Sequence, residues 1–239
     1  MSDIQYPPCI DTPDDRWRFP VALDDCTCTT VAIHHERFDA GAFAQLGIHR
    51  PEHLDTAATK RQAEYLGGRV CARRSLERVG GPSGELPVDV ERVPQWPAGF
   101  CGSITHSKGF AAAVSGCRRR WQSLGLDLEH VLEEARAERL AHEILTEAER
   151  TRFSDWAPAV LVTLVFSFKE SLFKALYPLT RRRFYFQDAE VIDLTYDGQA
   201  QLALRANLSE EWRSGQHVSG QFIQLGDHLL SLVVVPAAR

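Results

Sequence analysis

The run Ala157–Phe168, about a dozen residues and the most apolar stretch of this 239-residue chain, is closed at once by Lys169 and Glu170. A membrane-spanning helix needs roughly 20 such residues, so the run reads as a helix buried inside a globular fold. Pro158 suits the first helical position, and Tyr177-Pro178 marks the expected end. Leu161, Val162, Leu164, Val165, Phe166, Phe168, Leu172, Phe173 and Leu176 ring this helix with apolar side chains. Other elements must cover it on nearly every side. Glu170 and Lys174, one turn apart on one face, are then drawn into that cover, where charges need partners. Read locally they are an i, i+4 surface pair worth a few tenths of a kcal/mol; read with their surroundings they are a carboxylate and a cation facing a ligand.

The rest of the chain supplies both helices and strands. Helical spacing runs from about Thr56 to Val79, with Leu66, Val70, Leu76 and Val79 as its stripe and Gly80-Gly81 at its end. Gly67-Gly68 inside it each cost about 1 kcal/mol relative to Ala, which points to close packing or a close ligand. Residues 1–30 read as an irregular leader with a short strand or two, ending in the run Thr30–Ile33, and Pro82–Gly99 reads as a loop. Phe100–Ile104 and Phe110–Ser115 read as strands flanking a turn, Thr105–Gly109, and Leu124–Leu128 as a third. Glu133–Ile144 reads as an amphipathic helix, and Thr146-Glu147-Ala148-Glu149 as a capping box opening another. Four β-rich runs, Ala189–Tyr196, Gln201–Leu204, Val218–Leu225 and Leu229–Val235, close the chain as an antiparallel sheet. The class is mixed α and β.

A formal net charge of −5 with 25% charged residues argues against whole-molecule attraction to nucleic acid or to an anionic membrane. An anionic ligand must be met by a local basic patch. Six cysteines without a CxxC pair indicate neither zinc nor a disulfide framework. The N-terminal residues lack the basic start and apolar run of a secretion signal, so the cytoplasm is the expected compartment.

In Leu124-Gly125-Leu126-Asp127-Leu128-Glu129 the strand period of two places the leucines on one face and Asp127 and Glu129 on the other. The two acids are either a solvated strand end or, with a cation between them, hard oxygen ligands of the kind Mg2+ takes. Thr105-His106-Ser107 offers a hydroxyl, an imidazole and backbone N–H groups in a turn, though a single His is more often structural. Among Lys60, Arg61, Arg69, Arg73, Arg74 and Arg78, Arg61 and Arg69 lie close to two turns apart and can point the same way to clamp a phosphate; the others cannot all share that face. Arg181-Arg182-Arg183 either complements the end of the long helix or docks an acidic partner.

In order along the chain, Gly102-Ser103-Ile104-Thr105-His106-Ser107, Gly125-Leu126-Asp127-Leu128-Glu129 and Phe166-Ser167-Phe168-Lys169-Glu170-Ser171-Leu172-Phe173-Lys174 resemble the three signature segments of 4′-phosphopantetheinyl transferases. Arg61–Arg69 and Trp96-Pro97 resemble the enterobactin synthase component D branch. The resemblance covers roughly residues 57–178. Phe166 stands where many relatives carry Trp, and Thr105 where Ser is frequent. The resemblance implies an α/β (α+β) pseudo-dimer of two similar halves, residues 1–122 and 123–239, with the active site in the cleft between them. It implies transfer of phosphopantetheine from coenzyme A to a serine of an acyl, peptidyl or aryl carrier protein, by a monomer. Asp127, Glu129 and Glu170 would then hold Mg2+, with Mn2+ as the alternative. Arg61, Arg69 and His106 would bind the phosphates of coenzyme A and Thr105 the pyrophosphate. The loop from Val88 to Arg92, with Glu91 and Arg92, would lie near the adenine. Asp127, Glu170 and Lys174 would also contact coenzyme A and carry catalysis, Glu170 as base and Lys174 on the leaving phosphate. A coenzyme A-binding module without activity and an adaptor using Arg181–Arg183 are the rival readings.

Overall fold

The computed structural model describes residues 5–238, which fall into two compact units. One runs to Trp17 and resumes over Asp25–Cys117; the other takes Arg18–Asp24 and everything from Arg118. Arg18–Asp24, expected in the N-terminal half, therefore belongs with the C-terminal one. Its reason is local: the Val21 N–H donates to Gln221 Oε1 (3.0 Å), Trp121 Nε1 donates to Asp24 O (2.9 Å), and Pro20 lies against Gly198.

In the first unit β1 (Cys26–Ala32), α1 (Gly41–Gln45), α2 (Thr59–Arg78), β2 (Phe100–Ser107) and β3 (Phe110–Cys117) follow in order, and the sheet runs β1-β3-β2, antiparallel throughout. The long helix α2 packs on this sheet through Leu66, Val70 and Leu76. A Cβ at Gly67 would lie 2.6 Å from Ile33 Cδ1, and one at Gly68 2.9 Å from Ile104 Cγ2. The two glycines thus serve close helix–sheet packing.

Two strands extend beyond their apolar runs. β1 begins four residues before Thr30, because Cys26–Thr29 pair in register with Gly116–Ala113. In β2, Thr105, His106 and Ser107 are strand residues opposite Ala112, Ala111 and Phe110, and not a loop. The turn is only Lys108-Gly109, both at positive φ, as a two-residue hairpin turn of right-handed strands requires.

The second unit contains β4 (Trp121–His130), α3 (Glu134–Ile144), α4 (Glu147–Arg152), α5 (Pro158–Thr180), β5 (Ala189–Leu194), β6 (Gln199–Leu204), β7 (His217–Leu225) and β8 (His228–Pro236). Its five-stranded antiparallel sheet runs β4-β8-β7-β6-β5. The apolar helix α5 starts on Pro158, buries Leu164, Val165, Phe168 and Leu172 completely, and continues past Pro178 to a left-handed Arg181. Each unit thus lays one long helix across an antiparallel sheet. No helix among the described residues is long and apolar enough to cross a membrane.

Thr146 caps α4: its Oγ1 accepts from the Glu149 N–H (3.1 Å), and Glu149 Oε2 accepts from the Thr146 N–H (2.6 Å). Thr146→Ala is expected to cost about 1 kcal/mol. The loss should appear as a lower urea midpoint at unchanged slope; an unchanged midpoint would show that the cap carries no stability.

Candidate functional site

The site in the second unit starts from a glycine. A Cβ on Gly125 of β4 would collide with Ser171 O and lie 2.7 Å from Ala175 N, so α5 rests directly on the strand backbone. Small polar residues line the same contact. Ser167 Oγ and Ser171 Oγ lie 2.7 and 2.8 Å from Ser231 Oγ, Ser171 Oγ donates to Ser231 O (3.0 Å), and Ser167 Oγ donates to Asp127 O (3.3 Å). The face of β4 carrying Gly125, Asp127 and Glu129 is therefore the face that meets α5.

This close approach sets the charges. Lys174 reaches across to donate to Asp127 Oδ1 (2.7 Å) and Leu126 O (3.1 Å). Asp127 is only 4% exposed, so its carboxylate lies out of water, while Lys174 keeps 29% of its side chain exposed. Burial, with Asp127 and Glu170 nearby, pushes Glu129 up to about 7, Lys174 and Arg136 pulling the other way. Burial and Asp127 likewise raise Glu170, against Lys174. Glu170 also lines an apolar recess of about 220 Å3 with Phe173, Arg183, Phe184, Tyr185 and Phe186.

The structure thus brings together Asp127, Glu129, Glu170 and Lys174, and neither local reading of them stands alone. Asp127 and Glu129 are not a solvated strand end, and Lys174 makes its ion pair across the helix–sheet contact. Among the described residues, however, no three or more His, Cys, Asp or Glu side chains are gathered closely enough to hold a metal ion. The three expected ligands are electrostatically coupled without forming a finished cage. Like charges resist closer approach, and the Lys174 ammonium already satisfies one Asp127 oxygen.

In the first unit much of the basic cluster is structural. Arg74 Nε and Nη2 grip Asp15 (2.7–3.0 Å), Arg78 approaches the same carboxylate (3.9 Å), and Arg73 donates to Leu46 O (2.7 Å). Arg69 stacks over Tyr65 (4.8 Å) and donates to Leu86 O (3.0 Å). It lines a pocket of about 240 Å3 with Tyr65, Arg73, His49, Leu86 and Val88. Arg61 is exposed on α2. His106 Nδ1 lies 3.5 Å from Glu64 Oε2, whose other oxygen lies 3.8 Å from Lys60 Nζ.

Thr105 is buried in β2. Val88 lines the Arg69 pocket, whereas Glu91 and Arg92 sit on an exposed turn held by Asp89 and are not among its walls. Glu64 was not singled out from sequence. Its signals in sequence are its place in the Arg61–Arg69 segment and a position one turn after Lys60, and neither points to a histidine on a neighbouring strand.

Two family models match, "4'-phosphopantetheinyl transferase N-terminal domain" over residues 50–116 and "4'-phosphopantetheinyl transferase superfamily" over 123–233. The 4′-phosphopantetheinyl transferase Npt of Nocardia iowensis is 32% identical over 156 residues, 62% of this chain and 67% of that protein. The chain belongs to the 4′-phosphopantetheinyl transferase superfamily. Enterobactin synthase component D of Escherichia coli O157:H7 is 36% identical over 152 residues, 60% of this chain and 69% of that one. The transferase Svp of Streptomyces mobaraensis is 35% identical over 147 residues, and there the chain spans 58% of its own length and only 57% of its relative's. Asp127, Glu129, Glu170 and Lys174 all fall within the superfamily match, and Arg61, Arg69 and His106 within the N-terminal one.

Proposed function

We propose that this chain transfers 4′-phosphopantetheine from coenzyme A to a serine of an apo acyl, peptidyl or aryl carrier protein, in a Mg2+-dependent reaction. The observation that carries the reading is the coupled set Asp127, Glu129, Glu170 and Lys174 where α5 meets β4.

A raised carboxylate suits a base that must take a proton near neutral pH. Glu170 takes the proton of the carrier serine as its Oγ attacks the phosphorus that bears the pantetheine arm. The bond from that phosphorus to the bridging oxygen breaks, and adenosine 3′,5′-bisphosphate leaves with the bridging oxygen. Lys174, fixed by Asp127, meets the charge that develops on that leaving group. The apolar recess beside Glu170 offers a place for the pantetheine arm.

Asp127, Glu129 and Glu170 offer the hard oxygen donors that a divalent cation takes, and such an ion would have to draw them closer than they lie here, offsetting the burial and mutual repulsion that raise Glu129 and Glu170. Asp127, Glu129 and Glu170 are the residues that would hold Mg2+, or Mn2+ in its place. When bound, such an ion neutralises and orients a pyrophosphate.

In the first unit, Arg61, Arg69 and His106 are assigned to the coenzyme A phosphates, with Thr105 toward the pyrophosphate and the Val88 end of its loop near the adenine. The Glu64 carboxylate, 3.5 Å from His106 Nδ1, supports this reading as a partner for the imidazole. His106→Ala is expected to weaken coenzyme A binding about 10- to 100-fold, as loss of a charge-assisted hydrogen bond would. Titration calorimetry reads this directly, and unchanged affinity would remove His106 from the site. Likeness to enterobactin synthase component D suggests carriers of siderophore peptide synthesis, and carriers of fatty-acid or polyketide synthesis are equally compatible with the site.

Product analysis tests the function. Purified chain, apo-carrier, coenzyme A and Mg2+ should give holo-carrier and adenosine 3′,5′-bisphosphate in equal amounts by chromatography. Coenzyme A binding without either product would leave a non-catalytic binding module.

A further inference from the structure

Lys169, the residue before Glu170, is a charged side chain that the chemistry above does not use. Its side chain is 2% exposed, and its Nζ donates to Glu149 Oε2 (2.9 Å) and to Ile144 O at the end of α3 (2.8 Å). Glu149 is fully buried and does more than cap α4. Besides the Thr146 N–H, its carboxylate accepts from Lys169 and, through Oε1, from the Val191 N–H in β5 (2.7 Å). One ion pair thus ties four elements together. Gln187 Nε2 adds a tie from the segment after Phe186 to Glu143 O (2.8 Å).

Those elements carry both walls of the recess beside Glu170: Lys169, Glu170 and Phe173 from α5, and Phe184, Tyr185 and Phe186 from the segment leading into β5. We infer that Lys169 and Glu149 form a positioning pair that fixes the rotation of α5 about its axis and the distance of the 184–186 wall, and so aims Glu170 at the carrier serine. Apolar side chains could fill the same volume, often without loss of stability, but they give no direction. A displacement of about 1 Å at a reacting group can cost about 100-fold in rate.

The inference rests on the transferase reading, and one kinetic series separates the two. Wild type, Lys169→Met/Glu149→Met and Glu149→Gln are compared in carrier modification well below their melting temperatures, with coenzyme A affinity measured separately. The double variant removes both charges and keeps packing volume. Its kcat is expected to fall about 10- to 100-fold, a larger change than any in its affinity for coenzyme A, most of whose contacts are assigned elsewhere. Glu149→Gln, which cannot accept from both Lys169 and Val191 as the carboxylate does, is expected to lose kcat in the same sense. It decides the matter if the double variant does not fold. A folded variant that turns over at the wild-type rate overturns the positioning role alone. Wild type that modifies no carrier overturns the transferase reading and the inference with it.

Discussion

Glu170→Gln is expected to lower kcat for carrier modification by about 10²- to 10⁴-fold, the usual contribution of a general base, with little change in fold. The amide matches the carboxylate in size and can still face the Phe173–Phe184 recess, so packing is preserved. What is lost is the ability to take a proton. Burial and the neighbouring Asp127 hold Glu170 above the ordinary carboxylate range, against Lys174. Lys174→Ala provides the contrast. It removes the cation proposed to meet the leaving group and leaves the buried Asp127 without its ion-pair partner Lys174, so it should cost both rate and stability. Stopped-flow or quenched mass measurements at saturating coenzyme A distinguish the two. Near wild-type turnover in Glu170→Gln would take the base away from this helix.

Gly125→Ala is expected to be the most damaging glycine-to-alanine change among the described residues. Its Cβ would meet the backbone at Ser171 and Ala175, and backbone in a packed helix cannot swing aside as a side-chain end can. Overpacking costs typically 1–3 kcal/mol, and more where nothing yields. Here about 3 kcal/mol or more is expected, against a total of roughly 5–15 kcal/mol for a domain. Relief by lifting α5 off β4 would separate Lys174 from Asp127, so surviving protein should also be slow. Gly84→Ala, which meets nothing within 4 Å, is the control and should leave the unfolding midpoint within about 0.5 kcal/mol of wild type. Equal stability of the two variants would contradict the close contact between strand and helix.

The parts of the site that were legible in sequence are those set by short-range periodicity. Strand alternation put Asp127 and Glu129 on one face, and the apolar run opened by Pro158 put Glu170 and Lys174 on one buried helix. The cap at Thr146 was readable for the same reason, since both partners lie within one turn. What was not legible depends on long-range pairing. Nothing near Lys174 in sequence says that its ion-pair partner is Asp127, 47 residues earlier. Glu149 reads as a cap residue, and only the fold reveals that the same carboxylate anchors Lys169 and Val191. Thr105-His106-Ser107 read as a turn because polar residues interrupt an apolar run, whereas the ladder with Ala111 and Ala112 carries the strand through them. Arg18–Asp24 belongs with the second unit through hydrogen bonds to Gln221 and Trp121, 200 and 97 residues later in the chain, which no local pattern announces.

The intact mass of an apo-carrier protein, followed while Mg2+ is titrated into a mixture of this chain and coenzyme A, tests the central claim most directly. A gain of one phosphopantetheine per carrier is predicted, rising to saturation with Mg2+, abolished by excess chelator, and displaced to higher Mg2+ in Asp127→Asn and Glu129→Gln. No gain at any Mg2+ concentration, or an equal gain in excess chelator, would contradict it.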